Sequence, residues 1–293
     1  MARQLRVAAA QLGPSTNDKH ATVARIEKLT SDAATSGVQV LLFPELALTP
    51  FFPATLRRDF EDWFDDLPSP LIDGVLRAAR EAEIVLVLPY AERAGVSFFN
   101  SALVVDADGT IVGNYRKVHI PAYFPTDRPG GTGSFERLYF TPSAEGFPVF
   151  DTRYCRLGVQ ICYDRMFPEG SRVLGLKGAE VVCFPHNYAT YGMEYRNRAW
   201  GRLVQARTYE NGFFGVVANK AGQEGERESA GRSMIITPLG GDILAEGTSA
   251  GEELVIADLD LDDVVEARRR IPWWRDRRPD AYAELISGVE HQP

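Results

Sequence analysis

Val38-Gln-Val-Leu-Leu-Phe-Pro-Glu45 and Ala179-Glu-Val-Val-Cys-Phe-Pro-His186 are the two stretches on which the fold of this chain turns. Each is too short and too continuously apolar for a surface helix, and reads as a strand buried on both faces that proline then stops. Gly37 and Gly178 precede them, each placed to close a preceding helix as a C-cap. The likeness continues outward. Val85 to Gly95 is echoed by Phe214 to Gly222. Ser101 to Val112, turning at Asp108-Gly109, is echoed by Ser233 to Leu244, turning at Gly240-Gly241. Matches in the same order describe two similar α/β halves. Each half has one sheet face covered by its own helices and another that needs cover, so stacking the sheets gives a four-layer α-β-β-α sandwich. No Pro/Gly/Ser-rich linker parts the halves, and residues 1–293 are expected to form a single domain.

Around this core, Leu5 to Ala10 predicts a strand and Ala21 to Ser36 a helix with Val23, Ile26 and Leu29 on one face. Leu71 to Ala82 predicts another helix, and Ile84 to Leu88 a buried strand ending at Pro89. Pro121 to Gly146 breaks the rhythm, rich in Pro, Gly, Thr and aromatics, and an irregular stretch of that length is usually functional. From Asp262 to Pro293 the chain leaves the repeated plan; Trp273, Trp274 and Tyr282 among arginines predict a tail packed on a neighbour.

Composition narrows the function classes. With 45% hydrophobic and 25% charged residues, 293 residues suffice for a real core. Forty acidic against 32 basic side chains give a net charge of −8. The basic clusters, Arg268 to Arg270 and then Arg275, Arg277 and Arg278, are short and balanced by acids, so no nucleic acid is expected as a partner. No apolar stretch is long enough for a membrane span, and Met1 to Ala10 lacks a signal-peptide core. Three cysteines make no disulfide framework. A cytoplasmic protein is expected.

Cys162 lies between a strand, Arg156 to Ile161, and a helix beginning soon after it. A strand-to-helix turn exposes its residue at the sheet edge, beside helix N–H groups that favour a thiolate. Context alone leaves this open between a nucleophile and a buried apolar cysteine. Cys183, inside Val-Val-Cys-Phe, and Cys155 read as structural. Of four histidines, His20 and His291 read as surface, while His119 and His186 follow strand ends; their spacing makes no metal pair. Glu45 and Lys117 also stand at strand ends, positions that suit either a pocket or a solvated terminus.

Phe43-Pro-Glu45-Leu, Gly113-x-Tyr-Arg-Lys117-x-His-x-Pro121 and Gly158-x-x-Ile-Cys162-x-Asp164 resemble, in order, the catalytic motifs of the nitrilase superfamily of carbon-nitrogen hydrolases. The resemblance implies an α-β-β-α sandwich, a thiol mechanism with no metal or organic cofactor, and a homo-oligomer, dimer or tetramer. It implies Glu45 as general base, Lys117 as oxyanion stabiliser and Cys162 as nucleophile, with Glu136 as a second glutamate that steadies the lysine.

Within the superfamily, Phe43 to Pro53, Tyr115 to Pro121, Glu136 to Phe140 and Arg172 to Glu180 look most similar to N-carbamoyl-D-amino acid amidohydrolases. That branch implies hydrolysis of a ureido group to amino acid, ammonia and carbon dioxide, with Arg165 on the substrate carboxylate and His119 as a polar contact; the loop His186 to Gly192, expected at the same sheet end as Cys162, offers Asn187 as another. The chain departs from the branch at Met166, where a second arginine is expected, and at Ser134, where a histidine is. Part of the Cys162 to Glu169 run resembles amidases of N-carbamoyl amines instead. Arg196, Arg198 and Arg202 are spaced to supply a carboxylate partner or to face solvent. An amidase acting on another N-carbamoyl amine or aliphatic amide, or a nitrilase, shares the same trio.

Overall fold

A computed structural model describes residues 3–122, 134–189, 193–248 and 251–287. The irregular segment predicted at 121–146 falls partly, and His291 wholly, outside them.

In the first half, strands β1 (Gln4–Gln11), β2 (Val40–Leu42), β3 (Val85–Ala94), β4 (Ser97–Val105) and β5 (Ile111–Arg116) accompany helices α1 (Lys19–Thr35) and α2 (Asp73–Glu81). After the short helix α3 (Glu136–Tyr139) come β6 (Val149–Asp151), β7 (Arg156–Val159), α4 (Pro168–Leu176), β8 (Val181–Pro185), α5 (Glu194–Asn211) and β9 (Phe214–Ala218). A small hairpin, β10 (Ala221–Glu224) and β11 (Arg227–Ala230), precedes β12 (Met234–Ile236), β13 (Ile243–Glu246) and β14 (Glu253–Asp260).

Two six-stranded sheets result, in the orders β14-β1-β2-β3-β4-β5 and β6-β7-β8-β9-β12-β13. Both run antiparallel, parallel, parallel, antiparallel, antiparallel across their width. The repeated stretches therefore occupy equivalent places, with β2 matching β8, β3 matching β9, and the β4–β5 hairpin matching β12–β13. Val7, Val40, Val87 and Val104 of one sheet meet Leu157, Val181, Val216 and Ile235 of the other in one buried core. Val23, Ile26 and Leu29 of α1 and Val75 of α2 cover the outer face of the first sheet, and Trp200 and Val204 of α5 that of the second. This is the four-layer sandwich.

One strand differs from expectation. β3 runs through Pro89 instead of ending there. Its partner β2 stops at Leu42, opposite Val87, so the N–H that proline lacks falls where no ladder partner remains. The Pro89 carbonyl on that side accepts from the Ala47 N–H at 3.0 Å.

The C-terminal segment folds back on its own chain through α6 (Asp262–Arg270) and α7 (Trp273–Asp276). Trp273 and Trp274 are half-buried, with Tyr209 edge-on to Trp273 at 5.3 Å and Arg172 over Trp274 at 5.4 Å. Among the described residues, no helix is long and apolar enough to cross a membrane.

Candidate active site

The carboxyl ends of the parallel strands of both sheets meet at one end of the sandwich, where open α/β sheets gather ligand-binding residues. The Glu45 N–H, just past β2, donates to the His186 carbonyl, just past β8, at 3.2 Å. Lys117 follows β5 and Cys162 follows β7. Glu136 opens α3, within the irregular segment.

These side chains converge. The Lys117 ammonium, fully buried, lies 2.7 Å from Glu45 Oε1 and 2.7 Å from Glu136 Oε2. Glu45 Oε1 also accepts from Asn100 Nδ2 at 2.8 Å, and Oε2 from the Asn187 N–H at 3.1 Å. Ser134 Oγ, standing where a histidine was expected, donates to Glu136 Oε1 at 3.2 Å. Burial opposes the charge on Lys117, but the flanking carboxylates of Glu136 and Glu45 outweigh it and hold its pKa well above the ordinary lysine range. Burial, then repulsion from Glu45, pushes Glu136 up against the pull of Lys117.

Cys162 adopts φ +47° at the head of a 3-10 turn, Cys162–Met166, so its sulfur is turned out of the strand direction. The predicted thiolate-favouring setting is not what surrounds it. Loss of hydration first, and Glu45 next, push the thiol up to about 12, with Lys117 pulling in the other sense. The turn that follows is too short to offset that loss of hydration.

Asp164 fastens these elements together. Its buried carboxylate accepts from Tyr115 Oη at 2.6 Å, the His119 N–H at 2.9 Å and the Ile161 N–H at 3.0 Å, and lies 2.9 Å from His119 Nδ1. Tyr115 and His119 flank Lys117, and Ile161 precedes Cys162, so one carboxylate sets the register between the two.

A cavity of about 180 Å³, open to solvent, is lined by Cys162, Glu136, Arg165, Asn187, Arg196 and Arg227, among others. Arg165 is buried beneath Tyr188 and Trp200, its guanidinium 4.8 Å and 4.6 Å from their ring centres. Burial lowers its pKa, and among the described residues no carboxylate forms an ion pair with it. Asn187 lines the cavity as expected, yet its backbone N–H is what holds Glu45. His119 is not among the lining residues; its ring stacks on Phe167 at 3.7 Å and its Nδ1 faces Asp164. Of the arginines on α5, Arg196 reaches the cavity, while Arg198 pairs with Glu194 and Arg202 is exposed. His186 is wholly buried, and burial and then Arg165 hold its pKa well below the ordinary histidine range. His20 is exposed.

Sequence reasoning missed Asn100 and Arg227. Asn100 sits between Phe99 and Ser101 in β4, where an amide in an otherwise buried strand is the only local sign of a buried partner. Arg227 comes from the β10–β11 hairpin and lies over Phe51 at 4.1 Å, and nothing local in sequence marks that approach.

Comparison with known proteins gives a consistent picture. The family model for carbon-nitrogen hydrolase matches residues 6–269. The chain is 33% identical to a citrullinase of Francisella tularensis subsp. tularensis, covering 96% of this chain and 98% of that protein. It is 32% identical to an N-carbamoylputrescine amidase of Arabidopsis thaliana, over 97% and 96%. Among solved structures it resembles a carbon-nitrogen hydrolase from Helicobacter pylori G27, with a TM-score of 0.86, 26% identity, and 98% and 99% coverage. It also resembles an amidase from Nesterenkonia sp. AN1, solved with an acetamide moiety added covalently at its active-site cysteine, with a TM-score of 0.77, 25% identity, and 97% coverage of both chains.

Proposed function

Because the chain belongs to the carbon-nitrogen hydrolase family, we propose that it hydrolyses the ureido group of an N-carbamoyl amino acid, releasing ammonia, carbon dioxide and the free amino acid. The observation that carries this reading is the buried Glu45–Lys117–Glu136 cluster at a cavity that Cys162 and an acid-free Arg165 both line.

In the proposed chemistry, Glu45 takes the Cys162 proton as sulfur attacks the ureido carbonyl. A thiol near 12 requires this base, since little thiolate exists beforehand. The developing oxyanion is stabilised by the Lys117 ammonium, whose charge the two glutamates secure. Glu45 returns its proton to the departing ammonia, leaving a carbamoyl thioester on Cys162. Glu45 then activates water against that thioester, and the released carbamate loses carbon dioxide. The covalent adduct on the Nesterenkonia amidase cysteine supports the assignment of the nucleophile.

Relatives named for citrulline and N-carbamoylputrescine support a carbamoyl substrate, since both compounds carry a terminal ureido group. They differ at the other end, where citrulline has a carboxylate beside its amine and N-carbamoylputrescine has an amine alone. Among the described lining residues the one carboxylate is Glu136, which is already engaged by Lys117. A substrate ammonium would therefore meet guanidinium groups, whereas a carboxylate finds the fork of Arg165. An amidase of another N-carbamoyl amine or an aliphatic amide, or a nitrilase, is the alternative that the same panel tests.

Ammonia release from N-carbamoyl amino acids, N-carbamoylputrescine, simple amides and nitriles separates these readings. Arg165→Ala is expected to raise KM for N-carbamoyl amino acids about 10–100-fold while sparing neutral amides. An unchanged carbamoyl preference in that variant rejects the carboxylate assignment. Asp164→Asn is expected to lower kcat about 10–100-fold with little change in KM, because it loosens the register of Lys117 against Cys162 without touching substrate. A proportional rise in KM with kcat intact would show that Asp164 does not act through that register.

A further inference from the structure

Most large apolar side chains exposed on this protein are scattered, but two of them share the cavity that holds Cys162. Met166 is 49% exposed and Tyr195 60% exposed, and both line it. Tyr195, Ala199 and Leu203 follow one another at the i, i+4, i+8 spacing of α5, so they form a single stripe, and all three line the same space. Met166 directly follows Arg165 and stands where the resemblance led us to expect a second guanidinium. Part of the cavity wall, beginning at Met166 beside Arg165, is thus apolar and accessible. Isolated exposed apolar residues need no explanation, whereas a contiguous set inside a reactive cavity is the mark of a ligand surface.

We propose that Met166 and the Tyr195–Ala199–Leu203 stripe form a substrate side-chain subsite, so that the protein selects N-carbamoyl amino acids bearing large apolar or aromatic side chains. This rests on the carbamoyl reading above. An N-carbamoyl amino acid branches at its α-carbon. With the ureido carbonyl at Cys162 and the carboxylate on Arg165, the remaining branch is the side chain, and the surface adjoining Arg165 is this one. Methionine suits the role because its unbranched thioether adapts to different shapes.

The test compares kcat/KM for N-carbamoylphenylalanine and N-carbamoylglycine, and in parallel for 3-phenylpropionamide and acetamide. Protection of Cys162 from iodoacetamide at mildly alkaline pH serves as the readout for any pair that is not turned over. Wild type is expected to favour the aromatic member by about 10–100-fold, the worth of burying one such side chain. Leu203→Ser and Met166→Ser, both at accessible positions and checked by thermal melts, are expected to bring that ratio close to one. A ratio near one in the wild-type protein overturns the subsite while ureido turnover keeps the proposed reaction. The reverse result, an aromatic preference confined to the amides, keeps the subsite and removes the ureido reading. If the variants lower the oligomeric order without moving the ratio, the stripe is a contact between copies of this chain and the proposal is wrong.

Discussion

Lys117→Met is expected to cost about 3–5 kcal/mol of stability and, at the same time, to remove turnover. The ammonium is fully buried between Glu45 and Glu136, each 2.7 Å away. Without it, two carboxylates face one another out of water with no cation between them, and one must take up a proton or the cluster must open. Thermal unfolding measures the first effect and ammonia release the second. Adding Glu136→Gln to Lys117→Met removes one of the stranded charges, so the double variant is expected to recover part of the lost stability without recovering activity. A Lys117→Met protein that melts and turns over like wild type would show that the cluster carries neither function.

Cys162→Ala is expected to abolish turnover, by at least about 10⁴-fold, while leaving the melting temperature close to that of wild type. The side chain lost is small and half-buried, and the turn it occupies is held by Asp164 rather than by sulfur. The same residue makes a second, pH-dependent expectation. With the thiol pushed up to about 12, chiefly by burial, the thiolate fraction grows as pH rises and shrinks as it falls. Alkylation of resting Cys162 should therefore climb roughly tenfold per pH unit through the neutral and mildly alkaline range, with no plateau there. Turnover at neutral pH, by contrast, is expected to persist, since the proposed chemistry gives Glu45 the role of base. An alkylation plateau near neutrality would mean a preformed thiolate, and the role given to Glu45 would fall.

Val38 to Glu45 and Ala179 to His186 carry the architecture in the sequence itself, because both faces of a buried strand leave their mark on consecutive residues. The two sheets share one strand pattern for that reason. The motif residues Glu45, Lys117, Glu136 and Cys162 were likewise legible, and the structure places the first three in direct contact with Cys162 lining the adjoining cavity. His119 shows the limit. Its place after a strand is local information, but whether its ring faces substrate or Asp164 depends on where the Cys162 turn comes to lie.

What the chain determined by itself was periodic and local: strand against helix, the doubled α/β plan, the turn that carries Cys162, the balance of charge. Only the tertiary structure decided that the thiol's pKa is pushed up, that Asn100 and the Asn187 N–H grip Glu45, and that Met166 and a stripe of α5 line the cavity beside Arg165. The reason is physical. Hydration, field and shape at a site are set by groups brought together across the fold, and residues distant along the chain leave no trace of their mutual distance in the sequence around either one.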